Sequence, residues 1–372
     1  MSRRVFVHIG LPKTATTYLQ TILWAHRDAA LAQGLLLPGR ERRDHLWSSR
    51  VVREEPQRRR RPDREHEAWS RVVADVAGHD GDALISHEFF AAATAEQARW
   101  MVDFFAPDPV HVVVTAREPL GLFTASWQES LKNRGTTPMA EYGRDESTNP
   151  QDIWNWRTLD LRLVLERWIQ AVPAERVHVL PLDRSAPREE IWHRFVGVVG
   201  LDAAAFDPGV SFPNESMGVV EAELLRRVNP HLGAFNSAFD RGVWIRTFLA
   251  DERLVPRAGE KFWPLPDQVA DCRRRAEQAE AYLASSGVDV VGDVAHLRVP
   301  DTLEERRTPD SVTEAELAEA GAEIIAVLLG DARELRDEVR SLQRAEAEGP
   351  AGSSLTRAAG RLRRRAGRSR SR

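Results

Sequence analysis

Residues 5–20 decide the fold, and they read VFVHIGLPKTATTYLQ. The run 5–9 is short, apolar and rich in β-branched residues, which predicts a buried strand, while the apolar residues from Thr16 onward recur at helical spacing. The turn between them, Gly10 to Thr17, brings backbone N–H groups together at the positive end of a helix. The segment therefore predicts a strand, an anion-binding loop and a helix, in that order.

The first ~200 residues repeat this alternation of short apolar runs with longer helical patterns, within the usual size of one domain. Such alternation predicts a parallel sheet covered by helices. We expect an α/β fold, with a P-loop-like, doubly wound parallel sheet flanked by helices and a mainly helical C-terminal part beyond Leu201. The predicted strands are 5–9, 35–37, 83–86, 110–115 and 176–180, and the predicted helices are 16–33, 95–105, 120–133, 156–171, 215–229 and 266–285.

Two polar stretches interrupt this alternation. Residues 39–64 carry ten arginines against five acids and show no sustained apolar period, so we predict an exposed loop. Residues 135–155 are similarly polar. We interpret both as insertions beside the sheet edge, where α/β proteins usually build substrate sites.

The C-terminal region reads as two further segments. Ser311 to Glu314 is a predicted capping box that opens a long acidic amphipathic helix, residues 311–348. The Arg-rich tail, residues 349–372, has too little apolar content to fold, so we expect it to be disordered.

The composition narrows the class of protein. Lys plus Arg number 52 against 56 Asp plus Glu, and only three of the 52 are lysines: Lys13, Lys132 and Lys261. Outside its tail the chain is acidic, the wrong sign for a nucleic-acid binder, so we expect no nucleic-acid partner. The single cysteine, Cys272, excludes an internal disulfide and a Cys-rich metal site and suits the cytoplasm. No run of 18 apolar residues is present, so we expect no membrane span.

The loop differs from that of nucleotide triphosphatases, in which a lysine directly precedes the hydroxyl residue at the helix start. Residues 8–20 instead resemble the 5'-phosphosulfate loop of sulfotransferases that use 3'-phosphoadenosine 5'-phosphosulfate (PAPS), which reads approximately Pro-Lys-Thr/Ser-Gly-Thr-Thr-x-Leu. Ala15 departs from that pattern, because glycine is usual there and alanine disfavours a positive φ. The resemblance implies a sulfotransferase domain over residues 1–300, with specific motifs in the first 130.

The resemblance also implies a role for each residue of the loop. The hydroxyls of Thr16 and Thr17 would hold the 5'-phosphate, together with the backbone amides from Thr14 through Ala15 to Thr17. Lys13, a compact cation with three donors, would contact the oxygen between phosphate and sulfuryl group and stabilise charge as that bond breaks.

A second predicted strand-to-helix turn carries Arg117. Sulfotransferases place an Arg at the end of the corresponding strand and a Ser eight residues later, and both bind the 3'-phosphate of PAPS. Arg117 matches, but residue 125 is alanine, so the candidate hydroxyls are the flanking Ser126 and Thr124. The alternative for Arg117 is an ion pair with Glu118 or another acid at the helix start.

Three further basic residues resemble cofactor contacts more loosely. Arg257 and Lys261 lie where cytosolic sulfotransferases have a loop that covers the 3'-phosphate, and ordinary surface charge is the alternative. Lys132 either faces the nucleotide or is a solvated helix lysine.

Sulfuryl transfer to a hydroxyl needs a base near the acceptor oxygen. The predicted strand 83–86 ends in His87 and Glu88, and family members use either a His after such a strand or the Glu of a Ser-x-Glu element. We favour Glu88, because Ser86 completes that element, with His87 second. Side chains alternate along a strand, so both residues face the site only if the strand ends between them.

The predicted function is in-line transfer of the sulfuryl group from PAPS to a hydroxyl, or an amine, of an unidentified small-molecule, lipid or glycan acceptor, without a metal. The alternatives are a nucleotide kinase or hydrolase with an atypical phosphate-binding loop, and a non-catalytic anion-binding scaffold. Trp154 and Trp156 are candidates to line the acceptor pocket, with core packing as the alternative, and residues 39–64 are candidates to attract an acidic acceptor. Nothing in the sequence predicts the oligomeric state.

Overall fold

The computed structural model of the chain describes residues 3–54, 61–210 and 216–348. Its residues group into two units, Met1–Val312 and Thr313–Arg372. The first unit contains a six-stranded, all-parallel sheet with the strand order β2-β3-β1-β4-β5-β6, which confirms the predicted α/β fold. The strands are β1 Val5–Gly10, β2 Leu35–Leu36, β3 Asp82–Ser86, β4 Val110–Ala116, β5 Val177–Pro181 and β6 Asp289–Val290.

Helices account for most of the remaining described residues. The predicted helix 16–33 is divided at His26, and the predicted helix 156–171 is divided at Asp160, whose side chain caps the second part. A π-helix spans Arg241–Leu254. The α-helices are α1 Thr16–Ala25, α2 Arg27–Ala32, α3 Arg42–Val52, α4 Asp63–Ala77, α5 Ala95–Asp103, α6 Pro119–Lys132, α7 Trp156–Leu159, α8 Leu161–Trp168, α9 Glu190–Val199, α10 Val219–Val228, α11 Ala238–Asp240, α12 Pro266–Ser286 and α13 Glu314–Glu348.

Both faces of the sheet are covered. Every residue of β1 is buried, as expected for a central parallel strand with helices on both sides. On one face, Phe6, Leu84 and Val113 pack in a cluster with apolar residues of α1 and α9, among them Leu19 and Phe195. The core thus fixes α1 against the sheet, which holds the loop between β1 and α1 at the carboxyl edge of the strands.

The predicted exposed loop at residues 39–64 is wrong over the described part of that stretch. Residues Arg42–Val52 form α3, and α4 begins at Asp63, while residues 55–60 lie outside the described residues. The buried face of α3 has a helical period of four residues, but largely polar side chains occupy it, so a search for apolar periodicity misses it. The buried residues of α3 are Asp44, His45, Ser48, Ser49, Val51 and Val52.

The buried polar groups of α3 have partners that make their burial tolerable. Asp44 forms an ion pair with Arg71 of α4 at 3.2 Å. The His45 Nε2 atom lies 2.8 Å from the Pro38 carbonyl, and the Ser48 hydroxyl donates to the Asp44 carbonyl at 2.7 Å. The arginine-rich stretch is therefore in large part a packed helix beside the sheet.

Helix α13 makes up the described part of the second unit apart from its cap. The capping residue is Thr313 and not Ser311, because the Glu316 carboxylate accepts from the Thr313 N–H at 2.8 Å and the Thr313 hydroxyl accepts from the Glu316 N–H at 3.3 Å. The helix therefore begins two residues later than the predicted box implies. The tail predicted to be disordered, residues 349–372, lies outside the described residues.

Among the residues described, no helix combines the length and apolar character needed to cross a membrane.

Candidate functional site

A cavity of about 980 Å³ opens at the carboxyl ends of β1, β3, β4 and β5. Ten of its lining side chains are Lys or Arg, and two are carboxylates, so the cavity is strongly electropositive. Its basic residues are Lys13, Arg42, Arg50, Arg117, Arg184, Arg188, Arg241, Arg246, Lys261 and Arg306, and its acidic residues are Glu88 and Glu129.

The loop after β1 turns sharply beneath this cavity. Gly10 has φ +83°, and a Cβ there would lie 2.7 Å from the Glu88 Cβ, so only glycine fits. The Thr14 hydroxyl donates to the Leu11 carbonyl at 2.5 Å and lies 2.7 Å from the Thr115 hydroxyl on β4. The buried Thr14 side chain therefore anchors the loop and does not line the cavity.

Lys13, Ala15, Thr16 and Thr17 all line the cavity, as the phosphate-loop prediction requires. Lys13 and Ala15 both have backbone conformations in the left-handed region, with φ values of 64° and 66°. Ala15 thus adopts the conformation that glycine usually provides, at a cost of about 1–2 kcal/mol for an L-residue. Such strain tends to persist at functional sites, where the surrounding structure holds it in place.

The Lys13 side chain is held by a carboxylate of α6. Its ammonium nitrogen lies 3.0 Å from Glu129 Oε2, and Arg246 of the π-helix forms an ion pair with the other oxygen of Glu129. Burial raises the pKa of Glu129, but the charges of Lys13 and Arg246 more than offset this effect, so the net shift is downward. Glu129 is therefore an ionised group that positions two cations at the cavity wall.

Arg117 follows β4 directly and also lines the cavity. Its Nε lies 3.5 Å from Glu118 Oε1, which Arg184 contacts at 3.2 Å, so both the predicted ion pair and the predicted cavity position are present. The Arg117 Nε is buried and has no hydrogen-bond partner. Burial lowers the pKa of this guanidinium, and the charge of Glu118 offsets only part of that shift. Gly121 packs so closely on Arg117 and Glu118 that a Cβ there would collide with both.

Ser126 does not reach the cavity. It is fully buried, and its hydroxyl lies 2.6 Å from the Tyr142 hydroxyl, which donates to the Trp154 carbonyl at 2.8 Å. The cavity-facing residues of this part of α6 are Thr124 and Ala125, and the Thr124 hydroxyl donates to the Leu120 carbonyl at 2.9 Å. The predicted role of Ser126 in phosphate binding is therefore not supported by its position.

His87 and Glu88, the two candidate bases, both line the cavity. β3 ends at Ser86, so the strand ends before this pair and both side chains reach the same space. The His87 Nδ1 accepts from the Phe89 N–H at 3.1 Å, which leaves the proton of the neutral ring on Nε2. Its Nδ1 lies 3.8 Å from Glu88 Oε2.

The two candidate bases differ in charge. Burial lowers the pKa of His87 to about 4, so this imidazole is neutral at neutral pH. Burial raises the pKa of Glu88, but a backbone hydrogen bond and the positive charge of Arg42 act against it, and the net shift is downward. Glu88 is therefore a carboxylate with free proton-accepting capacity, whereas His87 has its acceptor nitrogen engaged.

The remaining predicted residues separate into those inside and those outside the cavity. Lys261 and Trp154 line it. Arg257 instead forms an ion pair with Glu221 at 2.9 Å and does not line the cavity, so its predicted role as a lid residue is not supported. Lys132 likewise pairs with Asp251 at 2.5 Å, away from the lining residues. Trp156 is buried and stacks on Phe123, so it is a core residue.

Several lining residues were missed at the level of sequence. Arg184 and Arg188 follow β5, and their place after a strand that ends at the same sheet edge was a usable signal. Arg241 and Arg246 lie on the π-helix, whose position beside the cavity no local pattern encodes. Among the described residues, no group of three or more His, Cys, Asp or Glu side chains is arranged to hold a metal ion.

No protein-family model and no curated protein sequence matches the chain. Among solved structures, the chain is similar to a sulfotransferase from Alicyclobacillus acidocaldarius, at 16% sequence identity and a TM-score of 0.39. The match covers 58% of this chain and 87% of that one. At this sequence identity and TM-score, neither the activity of that protein nor the roles of its residues can be assigned to this chain.

Proposed function

We propose that the chain is a sulfotransferase that uses PAPS as co-substrate and transfers its sulfuryl group to a hydroxyl of an acceptor. The observation that carries the proposal is the convergence of three strand ends on one cavity. The loop 10–17 follows β1, Glu88 follows β3, and Arg117 follows β4. An anion-binding loop, a base and a phosphate-binding guanidinium are the groups that this transfer needs.

The charges of the cavity support this donor. A nucleotide with phosphates at both its 3' and 5' positions needs separated cationic contacts, and the ten basic side chains of the wall provide them. The buried Arg117 Nε pairs with Glu118 at 3.5 Å without donating a hydrogen bond, so an acceptor oxygen of a ligand would satisfy it better. We assign Arg117 to the 3'-phosphate, and Lys13 with the backbone amides of residues 14–17 to the phosphosulfate.

When bound, PAPS supplies the transferable group: the acceptor oxygen bonds to sulfur as the bond from sulfur to the 5'-phosphate oxygen breaks, and the acceptor proton passes to a base. The carboxylate of Glu88 takes that proton, because its oxygens are ionised and face the cavity. Neutral His87 lies beside Glu88 and lines the same wall of the cavity. Lys13, held at 3.0 Å by Glu129, stabilises the charge that develops on the leaving phosphate.

Binding of 3'-phosphoadenosine 5'-phosphate (PAP), the desulfated donor, tests the proposal. A ligand that binds only the native state at 100 times its Kd stabilises it by about 2.7 kcal/mol, so saturating PAP should raise the melting temperature by several degrees. Thermal unfolding with and without PAP, in the presence of EDTA, measures this shift.

Magnesium-dependent ATP binding is the matched comparison, because it is what a nucleotide kinase or hydrolase would show. A larger melting-temperature increase with ATP and Mg²⁺ than with PAP would contradict the sulfotransferase proposal. The absence of any PAP-induced shift would contradict it as well.

A further inference from the structure

Helix α3 presents a stripe of three side chains to the cavity. Arg42, Leu46 and Arg50 line it, and their spacing of four residues places them one above another on one face of the helix. The neighbouring face of α3, which includes His45 and Ser49, is buried against the protein. The stripe therefore faces the cavity, with Arg42 exposed and Leu46 and Arg50 half-buried.

The stripe lies on the side of the cavity that holds the candidate base. His45 of α3 accepts at 3.1 Å from the N–H of Ser86, two residues before Glu88. Phe89, the residue after Glu88, also lines this part of the cavity. An acceptor whose hydroxyl reaches Glu88 would therefore extend along α3.

The same region contains apolar surface. Phe89 and Trp154 both line the cavity and meet edge to face, with ring centroids 6.0 Å apart, and Leu46 lies between the two arginines of the stripe. The acceptor side of the cavity thus combines two guanidinium groups with an aliphatic and an aromatic surface.

The guanidinium groups of the stripe retain binding capacity. Arg42 contacts the Thr21 hydroxyl at 3.4 Å, and no carboxylate within the described residues lies at ion-pair distance from it. Arg50 uses one terminal nitrogen to contact the buried Glu65 at 2.9 Å, which fixes its direction. A guanidinium offers five N–H donors in a planar fork, so these contacts leave donors available to a ligand.

We propose that the acceptor carries an anionic group, a carboxylate, sulfate or phosphate, in addition to the hydroxyl that is sulfated, and that Arg42 and Arg50 bind this group. The inference rests on the proposed sulfotransferase function and adds the chemical class of its acceptor. A carboxylate, sulfate or phosphate presents two oxygens that match the guanidinium fork in spacing and charge.

The test compares paired acceptors that differ at one position, where one member of each pair carries an anionic group. The pairs are glucose with glucuronate, glycerol with glycerol 3-phosphate, and methyl 4-hydroxyphenylacetate with its free acid, each assayed with ³⁵S-labelled PAPS. Charge-assisted hydrogen bonds lead us to expect kcat/KM about tenfold or more higher for the anionic member of at least one pair. Comparison between the pairs then separates carboxylate from phosphate recognition.

Variants of α3 assign any preference to the stripe. Arg42 is exposed, so Arg42→Gln should fold normally; we expect it to lower kcat/KM about tenfold for the anionic member, with little change for the neutral one. The matched control is Arg43→Gln, because Arg43 is also exposed on α3 but does not line the cavity. It should behave as the wild type.

The outcomes separate this inference from the proposed function. If PAP does not bind, the sulfotransferase proposal fails and the acceptor class with it. If PAP binds but the neutral members are sulfated equally well, or no anionic member is sulfated, the acceptor class alone is wrong. An Arg42→Gln variant that loses PAP affinity instead of acceptor preference would also overturn it, because Arg42 would then contact the donor.

Discussion

At the scale of single residues, Lys13 combines an unusual backbone with a specific charge. Its backbone φ of 64° lies in the left-handed region, and its ammonium nitrogen lies 3.0 Å from Glu129 Oε2. A lysine ammonium is a compact point charge, whereas the arginine guanidinium is larger and planar. We therefore expect a compact cation to serve better than a guanidinium at position 13, in a chain that otherwise uses arginine for nearly all of its basic residues.

We predict that Lys13→Arg preserves the charge but lowers the rate of sulfuryl transfer about 100-fold, the typical loss when one donor to a developing oxyanion is misplaced. PAP affinity should change less than the rate, because the loop amides and Arg117 remain. Transfer from labelled PAPS under saturating donor measures the rate, and calorimetric titration measures PAP affinity.

Lys132→Arg is the matched control for that prediction. Lys132 pairs with Asp251 and does not line the cavity, so this substitution should leave the rate unchanged. A Lys13→Arg enzyme as fast as the wild type would show that a compact ammonium is not needed at position 13.

How much of the site a sequence predicts is decided residue by residue. The loop from Lys13 to Thr17 was predictable because adjacent residues of one turn carry it. The direction of the Ser126 side chain was not predictable, because each residue of a helix is rotated by about 100° from the previous one. A one-residue offset from position 125 turns the hydroxyl away from the cavity and toward Tyr142.

At the scale of elements, that offset gives Ser126 a structural role. The chain of hydrogen bonds from Ser126 through the Tyr142 hydroxyl to the Trp154 carbonyl ties the polar insertion 135–155 to α6. Burial raises the pKa of Tyr142 far above its usual value, so the phenol stays protonated and remains a donor. The insertion is thereby held where its residue Trp154 lines the cavity.

We predict that Ser126→Ala lowers the free energy of unfolding by about 1 kcal/mol, the usual value of one buried hydrogen bond, and leaves PAP affinity unchanged.

Arg117→Lys is the informative counterpart, because it removes the proposed bidentate phosphate contact and should weaken PAP binding about tenfold or more. Urea unfolding and PAP titration of both variants make the comparison. A loss of PAP affinity in Ser126→Ala that equals the loss in Arg117→Lys would return Ser126 to the phosphate site.

Helix α3 shows why elements can escape a sequence-based prediction. Alternation of apolar runs predicted five strands, because buried parallel strands are themselves apolar. α3 is buried largely through polar residues, and the pairing of Asp44 with Arg71 and of His45 with Pro38 and Ser86 is not visible before the fold is known. β6 was missed for a different reason, because two residues are too few to show a period.

At the scale of the whole molecule, three buried histidines join β1, α3 and the end of β3. The His8 Nδ1 lies 2.8 Å from the Ser86 hydroxyl, and the His45 Nδ1 accepts from the Ser86 N–H at 3.1 Å. His87 is the next residue along the chain. Burial lowers the pKa of each of the three to about 4 from an ordinary value of 6.5, so the folded protein holds them neutral.

These histidines predict that the fold loses stability in acid. Between pH 6.5 and about 4 these histidines are protonated in the unfolded chain but not in the folded protein. Because the unfolded state binds more protons, the free energy of unfolding decreases as the pH is lowered through this range. Each histidine should contribute roughly 2 kcal/mol of this loss between pH 6.5 and pH 5. Urea unfolding at about pH 7 and pH 5 measures this loss.

The His45→Gln variant, whose amide can keep both hydrogen bonds, should lessen the loss by about that amount. The control is His231→Gln, which should not change it because His231 is exposed. Equal stability at the two pH values, or a His45→Gln protein as acid-sensitive as the wild type, would show that these groups already carry their protons when folded.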